Sequence, residues 1–306
     1  MLEIVIHIAL LILFPPLVLG VINKTKSWFA GRNGPPLLQA YFDIAKLLRK
    51  GAVYSRTTSW VFRAGPIVSL GSILCAGLIL PLASNVAPLG FTGDVILFAY
   101  LLGLSRFFTM AAALDTGSAF EGMGASREAA FAVPAEPALF LSLAIVCIPA
   151  KAASFQAAWS ALPWALWGGA HPAYLAAAIA LFAVMLAENS RIPVDDPNTH
   201  LELTMIHEVM VLDHSGPDFA FILYGSAVKL FVIAALLVHV LLPIPEHLGW
   251  TGVALLCLGE AALAILIGVV ESTVARLRLT RVPQFLIGAS VLAGIGLAIA
   301  LYRGTA

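Results

Sequence analysis

The stretch FAFILYGSAVKLFVIAALLVHVLL, residues 219–242, decides the fold, because its apolar character is interrupted only by a few polar side chains such as Lys229 and His239. A bilayer core of roughly 30 Å needs about 20 mostly apolar residues at about 1.5 Å rise each, and only a helix pairs every backbone polar group within such a segment. The stretch therefore reads as a membrane-spanning helix. Working outward, seven more segments read the same way: residues 2–22, 65–82, 93–113, 131–149, 172–188, 250–270 and 282–302. The one at 131–149 has the weakest start, because Pro134, Glu136 and Pro137 interrupt it.

The composition agrees. Hydrophobic residues make up 60% of the 306 positions and charged residues 11%, with a mean hydropathy of +0.96. A soluble domain needs more solvated side chains than that. The expected fold class is an all-α integral membrane protein of about eight transmembrane helices, forming one polytopic domain over residues 1–306. With 17 basic and 17 acidic residues the net charge is +0, which points to lipid as the partner and away from nucleic acid. The stretch before Lys24 lacks the basic start and small-residue cleavage site of a secretory signal, so it is read as a retained first helix.

Charge is distributed unevenly. Alternating loops place Lys24, Lys26, Arg32, Lys46, Arg49, Lys50, Arg56, Arg63, Arg127, Arg191, Arg276, Arg278 and Arg281 on one side, against Lys151 and Arg303 on the other. The positive-inside rule makes the first side cytoplasmic and both termini external. External connections such as residues 83–92 and 150–171 read as plain links. Residues 35–51, with Leu37, Leu38, Tyr41, Ile44, Ala45 and Leu48 on one side, read as an interfacial amphipathic helix. It serves as a lipid anchor or a docking face, with Asp43 and Lys46 on its polar side.

Chemistry-bearing residues fall in two groups. Arg106, Lys229 and Glu260 lie inside apolar helices, where an ionisable group is costly unless paired or wet. Lys229 and Glu260 occur near the middle of consecutive helices, so an ion pair or proton relay between them is expected. Glu136 is expected to be a buried proton carrier, and His7 and His239 to be packing residues. The second group is the loop at residues 188–218, AENSRIPVDDPNTHLELTMIHEVMVLDHSGPD from Ala187 on. It bends at Pro193 and Pro197 and is expected to form a short helix from about Thr199 to Val211, with His200, Thr204, His207 and Glu208 on one face. Such a set at a membrane boundary suits proton transfer, since histidine titrates near neutral pH.

Sharper chemistries fail on spacing. His207 and Glu208 begin an HExxH zinc motif, but Val211 stands where the second histidine is needed. Asp195 and Asp196 resemble a magnesium-pyrophosphate motif, yet no second aspartate cluster exists. Glu202 lies off the common face of the other candidate ligands, so no metal site is expected. Cys75, Cys147 and Cys257 are isolated, so no cysteine-ligated cofactor is expected on this chain.

At this loop a resemblance emerges. Glu188, Arg191, Pro193, Asp195, Pro197, Glu202 and Leu203 follow in order and spacing the AExxRxPxDxPxxxxEL pattern of the subunit 1 family of respiratory complex I. Gly34, Pro35, Leu37, Leu38, Gln39, Asp43, Lys46, Leu47 and Leu48 resemble that family's GP…LLQ…D..KLL stretch. Asp196, His200 and the stretch GMGASREAAFAVPAEPALF are similar to the membrane-anchor subunits of group 4 NiFe hydrogenases, the formate hydrogenlyase and hydrogenase 4 type. The resemblance implies a subunit of the bacterial or archaeal cytoplasmic membrane that seats a soluble arm on a membrane arm and couples redox chemistry to proton or sodium movement. It implies iron-sulfur clusters and a NiFe centre on partners: hydrogenase large and small subunits, a ferredoxin-like subunit and antiporter-like membrane subunits. Glu188, Asp195 and Glu202 would line an acidic funnel into the membrane, with Glu136, Asp196, His200, His207, Glu208, Lys229 and Glu260 as further coupling candidates. Arg191, Pro193 and Pro197 would shape the loop. The alternative is a quinone-binding subunit of an NADH:quinone oxidoreductase, and a stand-alone transporter is a third class.

Overall fold

The computed structural model describes residues 2–167, 172–196, 205–242 and 249–304. Eleven α-helices run through these residues: α1 (Leu2–Leu13), α2 (Pro15–Phe29), α3 (Gln39–Leu48), α4 (Trp60–Ile79), α5 (Asp94–Asp115), α6 (Ala119–Cys147), α7 (Phe155–Trp167), α8 (Pro172–Glu188), α9 (Gly216–Leu241), α10 (Trp250–Thr273) and α11 (Val282–Gly304). No strand occurs among the described residues. Six helices, α4, α5, α6, α9, α10 and α11, are long and apolar enough to cross a bilayer, and α1 with α2 makes a seventh span if the bent pair is one crossing. The remaining expected span, α8, has 17 residues, about 25 Å of helix, and is buried along almost all its length. The protein is a multi-pass, all-helical membrane protein.

The first span is broken. Pro15 and Pro16 have no N–H to give to the carbonyls of the preceding turn, and α1 and α2 meet at 44°. Tyr224 of α9 donates its hydroxyl to the carbonyl of Ile12 at 2.9 Å, and Tyr41 of α3 donates to that of Leu13. Side chains of neighbouring helices thus restore part of what the prolines remove.

The fourth span departs from its expected start at 131. Helix α6 begins at Ala119 and continues through Pro134 and Pro137 to Cys147. Its first turns carry Glu121, Arg127 and Glu128, which depress hydropathy, but each charge has a partner. Glu121 accepts the Asp213 N–H at 3.1 Å, Arg127 donates to the Met205 carbonyl at 2.8 Å, and Glu128 pairs as described below. Further along, the Ser290 hydroxyl of α11 donates to the carbonyl of Pro134 at 2.7 Å.

The amphipathic segment forms the shorter helix α3, none of whose residues is buried. Its outward side shows Phe42 and, flanking it, Leu37, Leu38 and Leu48, all 43–58% exposed. The link at 150–171 is not plain, since it contains α7. Glycines set the closest helix contacts. A Cβ at Gly65 would lie 2.7 Å from Ala112 Cβ between α4 and α5, and one at Gly268 would lie 2.7 Å from Thr25 Cβ between α10 and α2. Small residues at such crossings let backbones approach where lipid supplies no hydrophobic drive.

Candidate functional site

Helix α8 ends on the site. Ser190 adopts a left-handed backbone, φ 54°, and the Arg191 N–H returns to the Leu186 carbonyl at 2.8 Å. This is the Schellman ending, with Ser190 where glycine is usual. It turns the chain so that Arg191, Ile192, Pro193, Val194 and Asp195 are all buried. The Ile192–Pro193 peptide bond is cis. The loop is tied to residues after α10 by the Leu277 N–H, which donates to the Pro193 carbonyl at 2.9 Å.

Four helices then bring charges together. Arg106 of α5 donates to Glu188 at the end of α8 at 2.5 Å and to Glu136 of α6 at 2.9 Å. Its Nε lies 3.6 Å from Glu128 of α6. The other Glu188 oxygen is 2.6 Å from Lys229 Nζ of α9. Glu128 also faces His207 Nε2 at 3.2 Å, and His207 Nδ1 faces Asp195 at 3.5 Å. Asp195 further accepts the N–H groups of Ile206 and His207 at 3.2 and 3.1 Å and pairs with Arg276 at 2.8 Å. A chain of charges therefore runs from the loop surface through Asp195, His207, Glu128, Arg106 and Glu188 to Lys229. Beside it, Glu271 of α10 bridges Lys26 at 2.7 Å and Arg191 at 3.3 Å.

Burial lowers the affinity of His207 for a proton, but Glu128 and Asp195 outweigh it and raise its pKa to about 9. Burial would likewise push Asp195 up, but His207, the backbone N–H and Arg276 hold it below the usual carboxylate range. His214, stacked on Phe62 at 4.0 Å, has no such acid among the described residues, and burial lowers it to about 4. A cavity of about 10 Å³ lies between Glu128, Glu188, Val194 and His207, at the lower edge of what one water needs.

The candidates from sequence divide clearly. Glu188, Asp195, His207 and Lys229 join the chain, and Arg191 and Pro193 shape its loop. Pro197, His200 and Glu202 lie outside the described residues. The helix expected over 199–211 is, in its described part, a bend at Ile206 followed by a single 3-10 turn, Glu208–Val211. Asp195 captures the N–H groups of Ile206 and His207 that an α-helix would use. Asp196 is partly buried and donates its N–H to Asp195 at 3.0 Å. Asp43 and Lys46 stay exposed on α3, where Asp43 accepts from Gln39 at 2.9 Å.

Two expectations are corrected. Lys229 does not pair with Glu260. Gly259 packs on Val238 and Leu242, so Glu260 sits roughly 14 Å along α9 from Lys229. Glu260 is 0% exposed, and neither carboxyl oxygen finds a partner among the described residues. Glu136 is not buried: its side chain is 50% exposed, on the flank of the bundle. Sequence reading also overlooked Glu128, Glu271 and Arg276. Glu121 and Glu128, seven apart, show the helical period that marks a shared face.

A multi-pass helical subunit built around a buried chain of ion pairs is the class that this geometry defines. Residues 2–302 match the NADH dehydrogenase family model, and the chain belongs to that family, of the complex I subunit 1 type. It is 33% identical over 276 residues to formate hydrogenlyase subunit 4 of Escherichia coli, covering 88% of each chain. It is also 33% identical over 234 residues to hydrogenase-4 component C of the same organism, covering 76% of this chain and 73% of that one. The fold superposes at a TM-score of 0.81 and 22% identity, over 98% of both chains, on a chain from the membrane-bound sulfane sulfur reductase, an archaeal respiratory membrane complex.

Proposed function

We propose that this chain is the coupling subunit of a complex I-like, hydrogenase-type assembly in the cytoplasmic membrane of a prokaryote, with both termini external. It seats a soluble iron-sulfur and NiFe arm, formed by hydrogenase large and small subunits and a ferredoxin-like protein, against antiporter-like membrane subunits. The redox groups belong to those partners and supply the electron chemistry. This chain's task is to turn charge changes at its loop into proton or sodium movement.

The observation that carries this reading is the unbroken run of ion pairs from Asp195 and His207 at the loop to Lys229 within α9. Each link is a buried acid facing a base, so changing the charge at one end alters the preferred proton position at the next. His207 is the natural first responder. It lies between two carboxylates, so release of its proton leaves Glu128 and Asp195 facing each other's charge across a neutral ring. Lys229 and Arg106 then share the counter-charge of Glu128 and Glu188, and among the described residues Arg106 alone faces Glu136. Glu136 carries the chain to the flank of the bundle, where a half-exposed carboxylate is costly against lipid, so a neighbouring membrane subunit covers it.

Copurification from the native membrane followed by mass spectrometry tests the reading. Recovery of iron-sulfur and hydrogenase subunits with this chain is the expected result. Recovery of a quinone-dependent NADH oxidising arm would favour the quinone alternative, and ion movement by the isolated chain in liposomes would favour a transporter. Within the complex, Glu188→Gln and His207→Gln are expected to uncouple ion movement while partners remain bound.

A further inference from the structure

The end of the bundle opposite the ion-pair chain holds a cleft of about 400 Å³ between α5 and α6, within the range of small-molecule sites of about 300–1,000 Å³. Its walls are apolar and include Ile96, Phe140, Ala144 and Cys147. Phe140 is 42% and Ile96 51% exposed, so the cleft opens sideways, where acyl chains would lie. At its mouth stands Lys151, exposed and without an ion-pair partner among the described residues.

Lys151 is held there by the fold. It follows the last turn of α6 and adopts φ 51°, a left-handed backbone that side chains larger than glycine's disfavour. Its N–H donates to the Ile148 carbonyl at 3.1 Å. The rest of the turn is clamped to the start of α5: the Gly93 N–H donates to the Ala153 carbonyl at 2.8 Å, and the buried Asp94 accepts from the Phe155 N–H at 2.9 Å and from Ser154 Oγ at 3.3 Å. The nearby acid is thereby occupied by the turn itself. The turn holds the Lys151 backbone where α5 begins and α6 has just ended, at the ends of two apolar spans and beside the apolar slot.

We infer that this cleft is an anionic phospholipid site, with one acyl chain along the α5–α6 slot and the phosphate on Lys151. An apolar transmembrane helix of a partner would fill the slot but leave the ammonium without an acid. A lipid satisfies both parts, since long-stemmed lysines favour the headgroup level while their methylenes lie on apolar surface. Anionic headgroups gain over zwitterionic ones because the latter bring their own cation.

Native mass spectrometry of the purified full chain, titrated with phosphatidylglycerol or phosphatidylcholine of identical acyl chains, tests this. Wild type is expected to retain phosphatidylglycerol several-fold more strongly. Lys151→Gln should erase that preference, Ala144→Phe should lower retention of both lipids, and Lys50→Gln, on the opposite face, should change neither. An unchanged headgroup preference in Lys151→Gln overturns the proposal. So does displacement of the preference by inorganic phosphate alone, which would mark a site for a free anion. If Ala144→Phe does not fold, the Lys151→Gln titration decides by itself.

Discussion

Two buried polar regions of this protein obey opposite rules. Around Arg106, four helices and a loop converge, and acids and bases alternate at 2.5–3.6 Å. At the other half of the bundle, Glu260 is enclosed with no hydrogen-bond partner among the described residues, and His239 stacks on Trp159 at 5.2 Å while its Nδ1–H donates to the Ala235 carbonyl at 2.8 Å. The first region keeps charges in the membrane by mutual compensation. In the second, single polar groups are embedded among apolar side chains. Removing one member of a compensated set leaves an uncompensated buried charge, whereas removing a lone group leaves nothing behind.

The largest effect expected is therefore at Glu188. Glu188→Leu strips a partner from both Arg106 and Lys229 and is expected to cost about 3–5 kcal/mol, read as lost thermal stability in detergent. Glu260→Leu is the matched control and is expected to be neutral or stabilising in the same assay. Equal losses for the two variants would break the comparison and show that Glu260, too, has a compensating partner.

A pH series sharpens the same contrast. The pKa of His207 is raised to about 9, so its contribution to stability is full below its ordinary value of 6.5 and is lost as pH rises through about 9. Unfolding midpoints should fall across that window in wild type, and the slope should flatten in His207→Gln. His214 is lowered to about 4, so its contribution is already constant there, and His214→Gln should leave the alkaline slope unchanged.

Glu136→Gln should alter stability far less than Glu188→Leu, because Arg106 keeps Glu128 and Glu188 as partners. Ion movement in the assembled complex should nevertheless drop, since Glu136 is where the chain reaches the flank. Unchanged coupling in that variant would confine the working path to Glu188 and Lys229. The smallest effect is expected at Ser190→Gly, a gain within about 1 kcal/mol from relief of the left-handed backbone, measurable as a slight rise in unfolding temperature.

Much of this was legible beforehand. Apolar runs such as residues 219–242 are self-contained signals, because a helix pairs its own backbone and bilayer thickness sets its length. The clustering at Glu188, Asp195 and His207 was readable for a similar reason, since these residues are close in the chain. The break at Pro15 and Pro16 escaped, although both prolines stood in plain view. Hydropathy averages over a window, and what makes the kink tolerable is the pair of hydroxyls from Tyr41 and Tyr224. The start of α6 was lost to the same averaging, since Glu121 and Glu128 look like loop charges until their partners at Asp213 and His207 are known.

The sequence by itself determined a membrane-embedded helical protein, its loop of titratable residues and its family, because these depend on local composition and on motifs contiguous in the chain. Only the tertiary structure decided which charges meet. Lys229 faces Glu188 across α9 and α8 rather than Glu260, Arg106 gathers three carboxylates from α6 and α8, and Glu136 emerges on the flank. Pairing of buried charges depends on helix rotation and relative depth, and small-residue contacts such as Gly259 on Val238 set both through packing between segments distant in the chain.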